Sequence, residues 1–315
     1  MLQYLIILLD DTSVSFCHYK NPKTEKHLIS LSDLKAGILF AMKQNLMIQF
    51  VYPDYELAED YKAVIDSIDN NKIASDTSLK NEADVIVFND WIKFCNTDFS
   101  QNKDIAFVLQ TNKKDLFANY EQLRSLIKHL SRLNIVVTDI NTFDETDFDT
   151  YKETLLQLKL YVKEAYKEDV YPQLNLLTDR ILLDKMNNCN AGIENITLAP
   201  NGKFYICPAF YLEDENDFTG DLTNGLNIKN KQLYRIEYAP LCRKCDAYQC
   251  KRCVWLNRKT TLEVNTPSHE QCVTAHLERN ASRELLIDLQ QLGAWKEKSI
   301  AAIEYLDPFE TKENF

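Results

Sequence analysis

The sequence predicts an α/β fold in which a partial, open (β/α)6 barrel is followed by a small cysteine-rich domain and a C-terminal helix. Between residue 2 and about residue 180, short β-branched apolar runs alternate with longer segments of helical period, which is typical of right-handed βαβ units. The apolar runs are mostly continuous, as expected for parallel strands buried on both faces. The cysteines mark the second part, because seven of the nine lie between Cys189 and Cys272.

Six apolar runs predict the barrel strands, and helices are predicted between most of them. The strands are Leu2–Leu9, Met47–Val51, Asp84–Phe88, Ile105–Leu109, Ile135–Thr138 and Leu174–Leu177. The first predicted helix is capped by Ser32 and Asp33 and carries Leu34, Ile38, Ala41 and Met42. The other predicted helices are Tyr55–Ile68, Leu116–Leu130 and Tyr151–Tyr166. A flavodoxin-like open sheet is the alternative, because spacing alone does not separate it from an open barrel.

We expect three parts along the chain. Residues 1–188 would form the barrel, residues 189–275 the cysteine-rich domain, and residues 276–315 a C-terminal helix and tail. The boundary lies near residues 184–189, where the periodic pattern gives way to turns, acidic residues and cysteines. The last helix is predicted to run to about Leu292, and residues 307–315 are expected to be frayed.

The charge balance and the N-terminus limit the possible partners and the compartment. The chain has 36 basic and 47 acidic residues and a formal charge of −11, which argues against binding a nucleic-acid backbone. The apolar run Leu5–Leu9 lacks a basic start and is followed at once by two aspartates, so it predicts neither a signal peptide nor a membrane span. We therefore expect a cytoplasmic protein, in which clustered cysteines are metal ligands rather than disulfides.

The cysteine spacing predicts a metal centre. The pattern is C-x17-C, then C-x2-C-x4-C-x2-C, then C-x18-C, at Cys189, Cys207, Cys242, Cys245, Cys250, Cys253 and Cys272. Soft thiolates select zinc, copper(I) or iron–sulfur clusters, and short spacings let one segment wrap a metal. Iron–sulfur clusters are our first interpretation. A four-cysteine zinc site that stabilises a small fold is the alternative.

The same cysteines resemble the SPASM domain, the auxiliary-cluster domain at the C-terminus of many radical SAM peptide maturases. Gly202 precedes Cys207 by five residues in a hairpin-like stretch, and a four-cysteine knot and a final cysteine follow. The resemblance implies one or two [4Fe–4S] clusters, although both later gaps of the knot are one residue shorter than is usual in the family. One cluster would use Cys189, Cys207 and Cys253, leaving an iron open or bound by another ligand. The other would use Cys242, Cys245, Cys250 and Cys272.

The loop after the first strand departs from the radical SAM pattern. A radical SAM enzyme needs C-x3-C-x2-C there, so that three thiolates leave one iron for S-adenosylmethionine. Ser13 replaces the first cysteine, Cys17 matches the second, and Lys20 replaces the third. The Gly-Gly-Glu stretch that often follows the second strand is also absent. We therefore expect that S-adenosylmethionine is not a cofactor of this protein.

The whole chain is similar to the CXXX repeat peptide maturases. The resemblance is carried by LQYLIILLDDTSVSFCHYKN at residue 2, VYPDYEL at 51, ADVIVFNDW at 83 and CDAYQCKRCVWLNRKT at 245. It implies a role in ribosomal-peptide maturation, a precursor peptide with CXXX repeats as partner, and a companion radical SAM enzyme as a further partner. Two alternatives stay open: an active radical enzyme with an altered cluster site, and a zinc-stabilised interaction module.

Other candidate residues follow from position alone. The carboxyl ends of barrel strands form the ligand face, and the polar residues there are Asp10, Asp11, Ser13, Cys17, His18, Asp54, Asn89, Asp90 and Asp139. His269 and His276 flank Cys272 and are either extra ligands or surface and capping residues. The basic residues around the knot offset cluster charge, receive an acidic peptide or are solvated: Arg243, Lys244, Lys251, Arg252, Arg258 and Lys259.

Overall fold

The computed structural model describes residues 2–76, 82–99, 104–186 and 189–310. The chain divides into two compact units, each made of two stretches. The first unit comprises Met1–Val87 and Cys189–Tyr238, and the second comprises Phe88–Asn188 and Ala239–Phe315. Helices alternate with mostly parallel strands, so the predicted α/β class is confirmed. The division at residues 188 and 275 stays a prediction.

The bounds of the elements are as follows. The strands are β1 Tyr4–Leu8, β2 Met47–Val51, β3 Asn70–Ser75, β4 Val85–Phe88, β5 Ala106–Thr111, β6 Arg132–Val137, β7 Gln173–Leu174, β8 Asn195–Leu198, β9 Phe204–Tyr205, β10 Gly220–Asp221 and β11 Gly225–Leu226. The α-helices are α1 Leu31–Gln44, α2 Glu59–Ile65, α3 Trp91–Cys95, α4 Lys113–Asn119, α5 Leu123–Leu126, α6 Glu145–Lys167, α7 Asp179–Leu182, α8 Pro208–Glu213, α9 Val254–Thr261 and α10 His269–Gln291.

The first unit is built on a sheet with strand order β4-β3-β2-β1-β8-β9. The pairs are parallel except β8 with β9, which form an antiparallel hairpin as the sequence predicts. Gly202 lies in the turn of this hairpin at φ +74°, a conformation that strongly favours glycine. Strand β1 lies at the centre and is almost wholly buried, which explains its continuous apolar run.

The second unit contains the parallel strands β5, β6 and β7 and two long helices that pack against each other, α6 and α10. Leu155, Leu158 and Val162 of α6 are buried, as are Leu285 and Leu289 of α10. A hydrophobic stripe at helical spacing thus holds each helix in the core.

Several helices differ from their predicted bounds, and two of them also differ in their N-cap or their continuity. Helix α1 begins at Leu31 with Ser30 as its N-cap, because the Ser30 hydroxyl accepts a hydrogen bond from the backbone N–H of Asp33; the predicted cap at Ser32 and Asp33 is wrong. The predicted helix Leu116–Leu130 is broken into α4, α5 and short 3₁₀ turns. The Asn119 side chain donates to the carbonyl oxygen of Asp115 at 2.8 Å, where it competes with the helical backbone pattern.

Each of the six predicted strands overlaps a strand of the structure, although some of their ends differ. Strand β3 is missing from the prediction because its sequence, NNKIAS, has little apolar character. Strand β7 ends at Leu174, three residues early, because the Thr178 backbone and hydroxyl both donate to the Leu174 carbonyl and turn the chain. The predicted fraying is wrong for residues 307–310, where Asp307 is buried; residues 311–315 lie outside the described part.

A buried ion pair ties the cysteine knot to α10 and predicts a large effect on stability. Arg279 is fully buried, and its guanidinium donates to the Asp246 carboxylate at 2.6 Å. We expect Asp246→Ala to lower the free energy of unfolding by about 3–5 kcal/mol, because it leaves a buried charge without its partner. Urea unfolding followed by circular dichroism measures this effect. Glu164→Ala removes an exposed partner of Arg124 and serves as the control; equal effects of the two variants would contradict the prediction.

Candidate metal centre

Four of the seven predicted cysteine ligands line one cavity in the second unit. Cys242 begins a 3₁₀ turn that ends at Lys244, and Cys245 follows directly. Cys250 lies in the loop before α9, and Cys272 lies in the first turns of α10. The cavity is also lined by Met186, Leu241, Ala247, Arg252, Pro267, Gln271, Ala275, His276 and Pro308. We call Cys242, Cys245, Cys250 and Cys272 the thiol quartet.

Burial makes the quartet a poor place for unbalanced negative charge. Cys242 and Cys272 are each only 8% exposed. Burial raises the pKa of the Cys242 thiol, and it raises the pKa of Cys245 to about 11. Burial, followed by repulsion from the neighbouring sulfurs, raises the pKa of Cys250 and Cys272 as well. Four buried thiols that line one cavity can all ionise near neutral pH only if a cation or a metal cluster offsets their negative charge.

Hydrogen-bond donors already face three of the four sulfur atoms. The backbone N–H of Ala247 donates to the Cys245 sulfur, and the backbone N–H of Arg252 donates to the Cys250 sulfur, each at 3.4 Å. The Arg252 guanidinium also hydrogen-bonds the Cys242 sulfur. Donors of this kind stabilise thiolates and tune the potential of iron–sulfur clusters. These donors would stabilise the thiolates if a bound metal removed the protons of the cysteines.

A buried amide in the same cavity has no partner. Gln271 is 9% exposed and lines the cavity beside Cys272, and its Nε2 has no hydrogen-bond partner among the described residues. A buried donor left unsatisfied is unfavourable, so it indicates an acceptor that binds there. The sulfide of an iron–sulfur cluster is such an acceptor. The residues present thus fit a thiolate-bound cluster.

The quartet does not form a site for a single ion. Among the described residues, no group of three or more His, Cys, Asp or Glu side chains lies close enough to hold one metal ion. A zinc ion needs its ligands to converge to about 2.3 Å from one point. The quartet lines the walls of one cavity without converging on a single point.

The knot is fixed to the helix that supplies the last cysteine. Asp246 pairs with the buried Arg279 of α10 and with Arg180, whose guanidinium also lies 4.2 Å from the Tyr248 ring. Gln249 donates to the Ala275 carbonyl at 2.6 Å. These contacts hold the short cysteine spacings in register with α10. The residues between the cysteines therefore fix the position of the cysteines relative to α10.

The C-terminal segment lies over one side of the quartet. Tyr305 and Pro308 border a small pocket with Cys245, and the Tyr305 ring packs on His276 with centroids 5.5 Å apart. The segment is held at Asp307, whose carboxylate lies 2.6 Å from Nδ1 of His269. It is also held at the Ala301 carbonyl, which accepts from Arg279 at 2.5 Å. This segment limits solvent access to Cys245.

The two candidate histidines have different positions. His269 is engaged by the C-terminal segment, as described above. His276 lies within the quartet cavity, with Nε2 3.6 Å from the Cys245 sulfur and Nδ1 2.8 Å from the Cys272 carbonyl. Because a carbonyl only accepts, Nδ1 carries the ring proton. Burial lowers the pKa of His276, which favours the neutral ring.

The other three predicted ligands are divided between the two units: two belong to the first and one to the second. Cys189 is exposed and Cys207 caps the N-terminus of α8, and both belong to the first unit. Cys253 belongs to the second unit, where its sulfur caps α9 by accepting from the Leu256 N–H. Their assignment to one cluster stays a prediction. No disulfide joins any of the nine cysteines, all of which lie in the described part of the chain.

The loop after β1 does not fit a three-thiolate cluster. Ser13 is buried, and its hydroxyl donates to the Val51 carbonyl at 2.8 Å and accepts from the Asp10 N–H at 3.0 Å. The Asn21 amide donates to the carbonyls of Asp11 and Ser13. Lys20 is exposed. The residue in place of the first cysteine therefore has a structural role in the loop.

Most of the polar residues near the strand ends are also occupied structurally. The Asp10 carboxylate accepts from Tyr55 and Thr12, and the Asp11 carboxylate accepts from Tyr211 and Lys23. The remaining contacts are a hydrogen bond from Ser75 to Asp54, an N-cap of α3 by Asp90, and a hydrogen bond from the Lys113 N–H to Asp139. Because these carboxylates already accept hydrogen bonds, we interpret them as groups that hold the loops in place rather than as reactive groups.

Solved structures share this fold over nearly the whole chain. The anaerobic sulfatase-maturating radical SAM enzyme anSMEcpe with bound AdoMet matches with a TM-score of 0.64 and 11% identity, covering 94% of this chain and 98% of that chain. anSMEcpe with bound AdoMet and a Cp18Cys peptide matches with a TM-score of 0.63 and 11% identity, covering 93% and 100%. The predicted radical-SAM-like fold is thereby confirmed. No family model and no curated protein matches the sequence. Of the helices described, none combines the length and apolar character of a bilayer-spanning segment.

Because the C-terminal segment covers Cys245, we expect it to slow the alkylation of this cysteine in metal-free protein. We expect iodoacetamide to modify the exposed Cys189 quickly and Cys245 slowly, because burial and a raised pKa both reduce thiolate reactivity. Asp307→Ala releases the segment and should raise the rate at Cys245 several-fold. Mass mapping of alkylated peptides measures each rate. Phe309→Ala changes an exposed side chain of the same segment and is the control; an unchanged Cys245 rate in Asp307→Ala would refute a covering role.

Proposed function

We propose that this protein takes part in ribosomal-peptide maturation, holds auxiliary iron–sulfur clusters through its C-terminal cysteines, and does not cleave S-adenosylmethionine itself. The observation that carries the proposal is the thiol quartet, in which sulfurs from separate segments line one buried cavity. Its hydrogen-bond donors and the unpartnered Gln271 amide match a cluster with thiolate and sulfide surfaces. Cys242, Cys245, Cys250 and Cys272 would hold one [4Fe–4S] cluster.

A second cluster would use Cys189, Cys207 and Cys253, with one iron open or bound by another ligand. When bound, such an iron supplies Lewis-acid chemistry that can bind a substrate thiolate. The chain's own contribution is to place the ligands: the hairpin and α8 orient Cys207, and the start of α9 orients Cys253. Loss of either thiol would leave too few ligands to retain the cluster.

The proposed partner is a cysteine-containing precursor peptide with CXXX repeats. Support comes from the fold, because anSMEcpe shares it and has been solved with a Cp18Cys peptide. Support also comes from the sequence segments that resemble the CXXX repeat peptide maturases. A companion radical SAM enzyme would then carry out the radical step that this chain lacks the ligands to perform.

The proposed loss of S-adenosylmethionine cleavage rests on the loop after β1. Cys17 is its single thiol, and one thiolate cannot hold the cluster that this reaction needs. Ser13 is buried in backbone hydrogen bonds and Lys20 is exposed, so neither supplies a replacement ligand. The chain would therefore bind and present a peptide rather than generate a radical.

Metal analysis tests the cluster proposal. We expect protein purified without oxygen to contain about seven to eight irons with matching acid-labile sulfide, as two four-iron clusters require. Replacing all four quartet cysteines by serine should remove about half of the iron. Cys95→Ser is the matched control, because the Cys95 sulfur lies 2.8 Å from Gln122 and outside the quartet. Zinc without sulfide would overturn the proposal and favour a zinc-stabilised module.

Turnover of S-adenosylmethionine tests the second part of the proposal. We expect the reduced, iron-loaded protein to release no 5′-deoxyadenosine above the level of a Cys17→Ala control. The assay is liquid chromatography of the product after reduction with dithionite. Product formation that Cys17→Ala abolishes would identify an active radical enzyme with an altered cluster site.

A further inference from the structure

Arg252 has an unusual place among the basic residues of the knot. It lies between Cys250 and Cys253 in sequence and is only 2% exposed. Its backbone has φ +43°, in the left-handed region that non-glycine residues rarely adopt. A conformation of this kind persists only where the surrounding structure enforces it, and it often marks a functional position. Its neighbour Lys251, by contrast, is half-exposed and lies 3.9 Å from Asp179.

This conformation lets one residue reach two of the quartet sulfurs. The Arg252 backbone N–H donates to Cys250 at 3.4 Å, while its guanidinium hydrogen-bonds Cys242. Both groups border the quartet cavity. A guanidinium keeps its charge even when it is buried, so a positive charge is fixed beside the thiolates whatever the pH. The Gln271 amide also lines the cavity and offers a donor without a charge.

We propose that Arg252 and Gln271 are positioning residues of the centre in the thiol quartet: Arg252 balances its negative charge and Gln271 donates a hydrogen bond to its inorganic sulfide. The inference rests on the proposed function, because it needs a cluster in the quartet. Its physical consequence is a raised reduction potential. A nearby positive charge and hydrogen bonds to sulfur both favour the reduced, more negative cluster.

The test measures the midpoint potential of the quartet cluster alone. A background variant with Cys189→Ser and Cys207→Ser removes the other proposed cluster, and redox titration is followed by electron paramagnetic resonance. Arg252→Gln should lower the potential by about 59 mV or more, a tenfold change in a one-electron equilibrium. Gln271→Leu should lower it by less. Lys259→Gln removes a charge that lies over the Trp255 ring at 4.8 Å, outside the quartet cavity, and should change it least.

Arg252→Lys keeps the charge but not the planar fork, so its potential should lie between those of wild type and Arg252→Gln. It also carries the test if Arg252→Gln fails to bind iron. The inference on Arg252 is overturned if Arg252→Gln changes the potential no more than Lys259→Gln. Where only Arg252→Lys binds iron, a potential equal to that of wild type overturns the contribution of the guanidinium hydrogen bond to the Cys242 sulfur. A Gln271→Leu potential equal to that of wild type removes Gln271 from the proposal. Absence of iron and sulfide in the background protein would instead refute the proposed function itself.

Discussion

The burial of four thiols around one cavity is the constraint on which the candidate site in the second unit depends. Four sulfurs line one cavity, and burial raises the pKa of each. In a low-dielectric environment they cannot all lose their protons without positive charge nearby. The structure supplies positive charge at Arg252 and Arg279 and several polar donors, which together fall short of four negative charges. In the proposed function a metal cluster would supply the rest, and its binding energy would then become part of the folding energy of the unit.

The first unit presents a contrasting situation at the end of β1. There, polar side chains satisfy one another: Ser13 bonds the backbone, Asp10 accepts from Tyr55, and Asp11 accepts from Lys23. These hydrogen bonds order the loop after β1 through side chains other than thiolates. The chain thus combines the fold that it shares with anSMEcpe with a loop after β1 whose polar side chains are engaged in structural hydrogen bonds.

Strong local signals made much of the fold predictable from the sequence. Continuous apolar runs identified β1, β2 and β4, and the cysteine spacing indicated the knot and its hairpin. Strand β3 gave no such signal, because its neighbours in the sheet rather than its own composition make it a strand. For the candidate site, the sequence named the cysteines and placed Arg252 among six basic residues that offset cluster charge, receive an acidic peptide or are solvated, but it singled out neither Arg252 nor Gln271. Their proposed roles depend on a left-handed backbone angle and on burial, neither of which local composition encodes.

The most direct measurement is anomalous X-ray scattering from crystals grown without oxygen, with data collected at the iron and zinc absorption edges. The account predicts iron density in the cavity bounded by Cys242, Cys245, Cys250 and Cys272, elongated beyond a single atom and in contact with all four sulfurs. A single zinc peak there, or paired sulfurs with no metal between them, would contradict it.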